Sequence, residues 1–181
     1  MGNLSGHTPP FEFLESLRRL LSERPEWISR LKVSFIGRRS VSADAAIRAF
    51  PHPEVLEVID HVGKGDAVRR MQDADVLLLL SAPDLERSLP TKLFEYLASR
   101  RPVLIFGFPG ESSALIEKLG AGALCPWGSG EALGDTLEHL RDLDLSAHES
   151  EVSAWLQNHR RDALAARAFE IIESVAESAL D

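Results

Sequence analysis

Two hydrophobic rhythms alternate along this chain. Behind Pro9 and Pro10, the residues Phe11, Phe13, Leu14, Leu17, Leu20 and Leu21 recur at helical spacing and predict a helix over 11–21. Residues 31–36 (LKVSFI) read as a strand that stops at Gly37, and residues 55–62 as a second strand ending at Gly63. A short helix over 66–72 follows. Residues 76–81 (VLLLLS) form an uninterrupted apolar run, the pattern of a strand covered on both faces. Residues 90–98 predict a helix, 103–106 (VLIF) another buried strand, 112–119 a helix and 123–127 a last short strand. Three helices close the chain, over 131–140, 149–159 and 162–179.

This alternation predicts an α/β fold: a three-layer, Rossmann-like parallel sheet with C-terminal helices. Residues 1–145 would form the Rossmann-like domain, and residues 146–181 helices packed on it. The opening loop is unusual. Gly2-Asn3-Leu4-Ser5-Gly6 leads directly into a helix, whereas such a loop normally follows the first strand of a doubly wound sheet. The chain therefore reads as starting just after that strand. In the doubly wound order the missing strand belongs between those at 31–36 and 76–81. Its slot would be closed by rearrangement, by another chain or by residues outside this numbering.

Charge and cysteine content narrow the partners. The net charge is −8, and all of it resides in residues 131–181, where 12 acidic residues face four arginines. An acidic chain without a basic stripe is a poor binder of nucleic acid. A single cysteine, Cys125, excludes an internal disulfide and fits a reducing compartment. No apolar run is long enough to span a bilayer, and Met1–Pro10 lacks the features of a signal peptide. The expected location is cytoplasmic, with membrane-peripheral attachment through a missing half left open.

The richest candidate for chemistry is the junction from Ser81 to Ala98. A buried strand ends, a polar loop follows, and a helix begins near Pro90. The first free amides of that helix, at Thr91 and Lys92, suit a phosphate. Glu95, four residues after Thr91 and three after Lys92, shares their face and is able to accept both hydroxyls of a ribose. The same spacing equally fits a solvated Lys92–Glu95 helix pair. Asp73-Ala-Asp75 has the form of a metal-binding DxD, but it directly precedes a buried strand and reads as structural. No His, Cys or Asp spacing calls for a metal.

The segment PTKLFEYLASRRPVLIFG resembles the donor-site helix of GT-B glycosyltransferases, specifically the large retaining family that includes glycogen synthase-like enzymes. The likeness extends over GNLSGHTPPFEFLESL, LKVSFIG, VIDHVGKGDAVRRMQDADVLLLLS and ESSALIEKLGAGAL, which resemble successive loops, strands and helices of the same domain. It implies the C-terminal, nucleotide-sugar donor-binding domain of such an enzyme. Glu95 matches the ribose-binding glutamate, and Thr91 and Lys92 the helix start that faces the diphosphate. Val62 and Gly63 match the strand end that contacts the nucleobase, and Gly2 and Gly6 the glycine-bearing loop near the phosphates.

The implied substrate is a nucleoside-diphosphate sugar, transferred to an acceptor hydroxyl without a metal or other cofactor. No catalytic residue is assigned. The acceptor-binding N-terminal domain is expected to be missing, and the isolated chain to bind without turnover. The alternatives are the matching half of a sugar-nucleotide epimerase and a non-catalytic nucleotide- or partner-binding module. Two departures from the family pattern stand out. The glutamate that commonly lies eight residues before Glu95 is replaced by Arg87, with Glu86 one position out of register. Where the family often has glycine, Arg100 stands, and a left-handed turn there would cost it roughly 1 kcal/mol.

Overall fold

The computed structural model describes residues 10–178 other than 129. Five strands alternate with helices, as the hydrophobic rhythm predicts. The strands are β1 (Val33–Ile36), β2 (Leu56–Ile59), β3 (Leu77–Ser81), β4 (Val103–Gly107) and β5 (Gly122–Cys125). The helices are α1 (Phe11–Glu23), α2 (Val41–Arg48), α3 (Lys64–Asp73), α4 (Thr91–Ala98), α5 (Glu111–Lys118), α6 (Gly130–Arg141), α7 (Glu149–Asn158) and α8 (Arg161–Ser178). The expected short strand at the end of the α/β run is displaced slightly, to Gly122–Cys125. Helix α2 was not foreseen from the sequence. Its Ser40 cap, which accepts a hydrogen bond from the Ala43 amide at 3.2 Å, is a readable signal, but Ala43 and Ile47 alone make a thin apolar stripe.

All strand pairs are parallel, but they form two sheets. One is β1-β2; the other has the order β3-β4-β5. The division falls between β1 and β3, where the doubly wound order places its first strand. Helix α1 bridges the two sheets. Its Phe13 ring stands edge-on to Phe35 of β1 at 6.4 Å and to Phe106 of β4 at 5.3 Å. With Leu14, Leu17, Leu20 and Leu21 it forms one core, which also takes in Leu104, Leu133 and Leu140. Burying each such side chain contributes on the order of 1.5–3 kcal/mol.

A second core lies on the opposite face of β3-β4-β5. Leu77, Leu79, Val103 and Ile105 pack there against Leu93 and Leu97 of α4 and Ile116 of α5. Helix α7 closes this side, its Trp155 ring 5.1 Å from Phe94 of α4. Strand β4 is consequently buried at every residue. Helices α1 and α6 cross so closely that glycine is required: a Cβ at Gly130 would lie 2.5 Å from the Leu20 nitrogen. Among the described residues no helix is long and apolar enough to cross a membrane.

Candidate functional site

Strand β3 delivers the chain to the carboxyl rim of its sheet, and the loop that follows is pinned before α4 starts. The Glu86 carbonyl accepts from the Glu111 amide at 2.7 Å, and the Ser88 carbonyl accepts from Ser112 Oγ at 2.7 Å. The start of α5 thereby holds the approach to α4. Pro90, extended at ψ 143°, precedes the first helical residue, and its carbonyl accepts from the Leu93 amide at 2.8 Å. The amides of Thr91 and Lys92, the first two of the helix, have no intrahelical acceptor. They sit at the positive end of the helix dipole, above the strand ends.

Neither Thr91, Lys92 nor Glu95 makes a side-chain hydrogen bond or ion pair among the described residues. The solvated Lys92–Glu95 pair that the spacing allows is therefore not closed in this structure. Lys92 is half-buried, and desolvation holds its ammonium below the ordinary lysine range, partly offset by the Glu95 charge. A cation kept partly dry, with no closed ion pair among the described residues, suits an incoming diphosphate. Glu95 is exposed on the outer face of the same helix.

The remaining side of α4 is structural. Burial pushes the Tyr96 phenol well up, and its hydroxyl donates to the Leu78 carbonyl of β3 at 3.2 Å. At the C-terminal end Arg100 adopts φ 54°, the one positive φ among the described non-glycine residues, and its guanidinium pairs with Glu149 at the start of α7. The left-handed turn expected from the family's glycine is thus present, with arginine in it.

The other sequence candidates are dispersed. Val62 and Gly63 follow β2 on the rim of the other sheet, with Gly63 at the N-cap of α3, and no hydrogen bond or ring contact links them to α4. A Cβ at Gly63 would meet nothing within 4 Å, so that glycine is not demanded by packing. Gly2 and Gly6 lie outside the described residues. Asp73 ends α3 and Asp75 lies in the turn before β3, in keeping with a structural reading of both.

Two rim arrangements escaped the sequence, the clamp made by Arg39 and the pairing of Phe108 with Trp127. Arg39, with its side chain only 11% exposed, donates to the Gly37 and Ile59 carbonyls at 2.6 and 3.1 Å and pairs with Asp44 and Asp60 at 3.2 and 2.9 Å. Its charge is spent clamping the ends of β1 and β2, and spacings of 5 and 21 residues gave no hint of that. Phe108 and Trp127, 41% and 38% exposed, meet edge to face at 5.0 Å beyond the ends of β4 and β5. Gly107, just before Phe108, has φ 137°, and a Cβ there would collide with the Ser81 carbonyl.

Comparison with known proteins bears on the fold. No family model and no curated protein sequence matches the chain. Solved structures do. An α,α-trehalose-phosphate synthase (UDP-forming) from Burkholderia vietnamiensis superposes with a TM-score of 0.72 at 14% identity, over 96% of this chain and 44% of that one. The GtfA/B complex gives 0.69 at 13% identity, over 97% and 35%. Anabaena Alr3699/HepE, solved in complex with UDP, gives 0.64 at 16%, over 97% and 48%. This chain spans less than half the length of each. Its fold is α/β and Rossmann-like, of the kind that makes up one half of GT-B glycosyltransferases.

Proposed function

We propose that this chain is the nucleotide-sugar-binding half of a retaining glycosyltransferase. The observation that carries the reading is the first turn of α4: two amides without intrahelical acceptors, a partly desolvated lysine and a carboxylate with no ion pair among the described residues, all on one turn. Thr91 and Lys92 would receive the diphosphate, and Glu95 the ribose hydroxyls. Val62 and Gly63 would meet the base through their backbone, and Gly2 and Gly6 would allow close approach to the phosphates. When the sugar departs to an acceptor hydroxyl, negative charge grows on the diphosphate. Oriented amides and the Lys92 ammonium stabilise it there, with no metal required.

The neighbours named as UDP-forming or solved with UDP make uridine diphosphate the first ligand to test. In this reading residues 1–145 hold the donor and residues 146–181 brace it. An acceptor-binding half supplied from outside these residues completes the enzyme, whose location is cytoplasmic. The chain alone binds without turning over.

Calorimetric titration with uridine and guanosine diphosphates tests the assignment. Hydrogen bonds to a charged acceptor contribute roughly 1.5–3 kcal/mol, so Glu95→Ala should weaken binding about ten- to a hundredfold. Glu86→Ala, out of register with the family pair, should weaken it less, and Asp73→Ala should leave it unchanged. Equal affinity in wild type and Glu95→Ala would remove the donor site. A folded chain that binds neither nucleotide would favour a non-catalytic module.

A further inference from the structure

Beyond the start of α4 the rim continues, and what it carries there is aromatic. The strand order β3-β4-β5 sets three loops side by side at the carboxyl ends. The first leads to α4, the second opens with Phe108, and the third holds Trp127. The residues proposed above to meet the base follow β2 on the other sheet. Base, diphosphate and aromatic pair thus fall to β2, β3 and β4-β5 in turn. A nucleoside-diphosphate sugar has the same sequence of parts, with its sugar last.

The aromatic pair is built into this rim. The Phe108 amide donates to the carbonyl of Ser81, the last residue of β3, at 3.2 Å. Gly107 brings the end of β4 so near the indole that a Cβ there would come within 2.8 Å of Trp127 Nε1. Trp127 also lines a narrow crevice with Leu80, Ser81 and Ala82 at the end of β3, and with Glu12 and Phe13 at the start of α1. The two rings stand at 83° to one another and both are exposed, so they form a corner open to solvent.

A pyranose carries C–H bonds on its faces and hydroxyls around its edge. The negative face of an aromatic ring attracts such C–H groups, while the hydroxyls need hydrogen-bond partners beside the ring. Glu12, in the wall of the crevice, is an acceptor of that kind. The loops around the corner carry Asp84 and Glu86 against Arg87, and Glu111 follows at the start of α5. This acidic balance disfavours an anionic sugar. We propose, resting on the nucleotide reading above, that Phe108 and Trp127 form the stacking corner for the sugar of the donor, and that this sugar is an uncharged pyranose.

Calorimetric titration of the 181-residue chain with uridine diphosphate, UDP-glucose and UDP-glucuronate tests the corner. The readout is the ratio of the uridine diphosphate to the UDP-glucose dissociation constant, in which the contribution of the nucleotide cancels. Trp127→Leu and Phe108→Leu keep an apolar side chain and lose the ring. Each should lower the ratio about fivefold and leave the uridine diphosphate constant within about twofold of wild type. Trp127→Phe should keep most of the ratio. The uronate should bind wild type about fivefold more weakly than UDP-glucose. In NMR spectra of the wild type, the Trp127 Nε1–H signal should move with UDP-glucose and stay with uridine diphosphate, Trp27 and Trp155 serving as references. Uridine diphosphate binding retained with an unchanged ratio in both leucine variants would overturn the corner and leave the nucleotide reading standing. So would a Trp127 signal indifferent to the glucose, which decides the matter even where a leucine variant fails to fold. A uronate bound as tightly as UDP-glucose would overturn the uncharged sugar. A folded chain that binds no nucleotide would overturn both readings together.

Discussion

The β3-β4-β5 sheet and the β1-β2 pair are built from similar apolar strands, yet their environments differ. Strand β4 lies between two neighbours with a core on each face, and all of it is buried. Strand β2 has no buried residue, and only Phe35 of β1 is buried. A two-stranded sheet is marginal by itself in water. The β1-β2 pair is held by what packs on it: α1 through Phe13, α2 through Ile47, and the Arg39 clamp across the strand ends. The nucleotide site proposed at α4 hangs from the rigid sheet. Val62 and Gly63, proposed above to meet the base, hang from the weaker one.

The sharpest way to break this comparison is Phe13→Ala. Losing a buried phenylalanine costs about 3–5 kcal/mol, and here it removes the ring shared by both sheets. Exchange should accelerate most at β1 and β2. Ile116→Ala, in the core on the other face, should cost about 2–5 kcal/mol and act on α5 and β3-β4-β5 instead. Identical exchange patterns in the two variants would show that the two halves open as one unit.

Lys92→Met sharpens the contrast between site and scaffold. Removing a half-buried ammonium without an ion partner should raise stability, on the order of 1 kcal/mol, while weakening uridine diphosphate about tenfold. The pH dependence has a definite sign. A lysine whose folded pKa is depressed destabilises the fold below its ordinary range, and that penalty fades as pH rises through the lowered value. The stability gain of Lys92→Met should therefore be full at neutral pH and shrink toward alkaline pH in denaturant titrations. A variant less stable at neutral pH would contradict the desolvated-lysine reading.

The smallest expected effect is at Arg100. Glycine there relieves a left-handed arginine worth roughly 1 kcal/mol, against the loss of an exposed pair with Glu149 worth about 0–1 kcal/mol. Arg100→Gly should lie between neutral and about 1 kcal/mol more stable. A clear destabilisation would give the Arg100–Glu149 contact a larger part in holding α7 on α4.

Much of the fold was legible because its strongest signals are local. The VLLLL and VLIF runs announced the central strands, and the PTKLFEYLA string announced α4, its start and the face shared by Lys92 and Glu95. The left-handed turn at Arg100 was legible only through the family's glycine. Long-range facts were not. Nothing in VLLLLS says that Leu78 and Leu80 are only partly buried, so a strand read as covered on both faces is covered on one and part of the other. Helix α2 was hidden by its alanines, and the Arg39 clamp by partners brought together only in the fold. The Phe108–Trp127 pair joins two loops far apart in sequence.

The most direct test of the central claim is a titration of the isotopically labelled chain with uridine diphosphate, followed at every backbone amide. The largest shifts should appear at Thr91 and Lys92, with a second set at Val62 and Gly63 on the rim of the other sheet. Shifts absent from the start of α4 at saturation, or confined to α7 and α8, would contradict it.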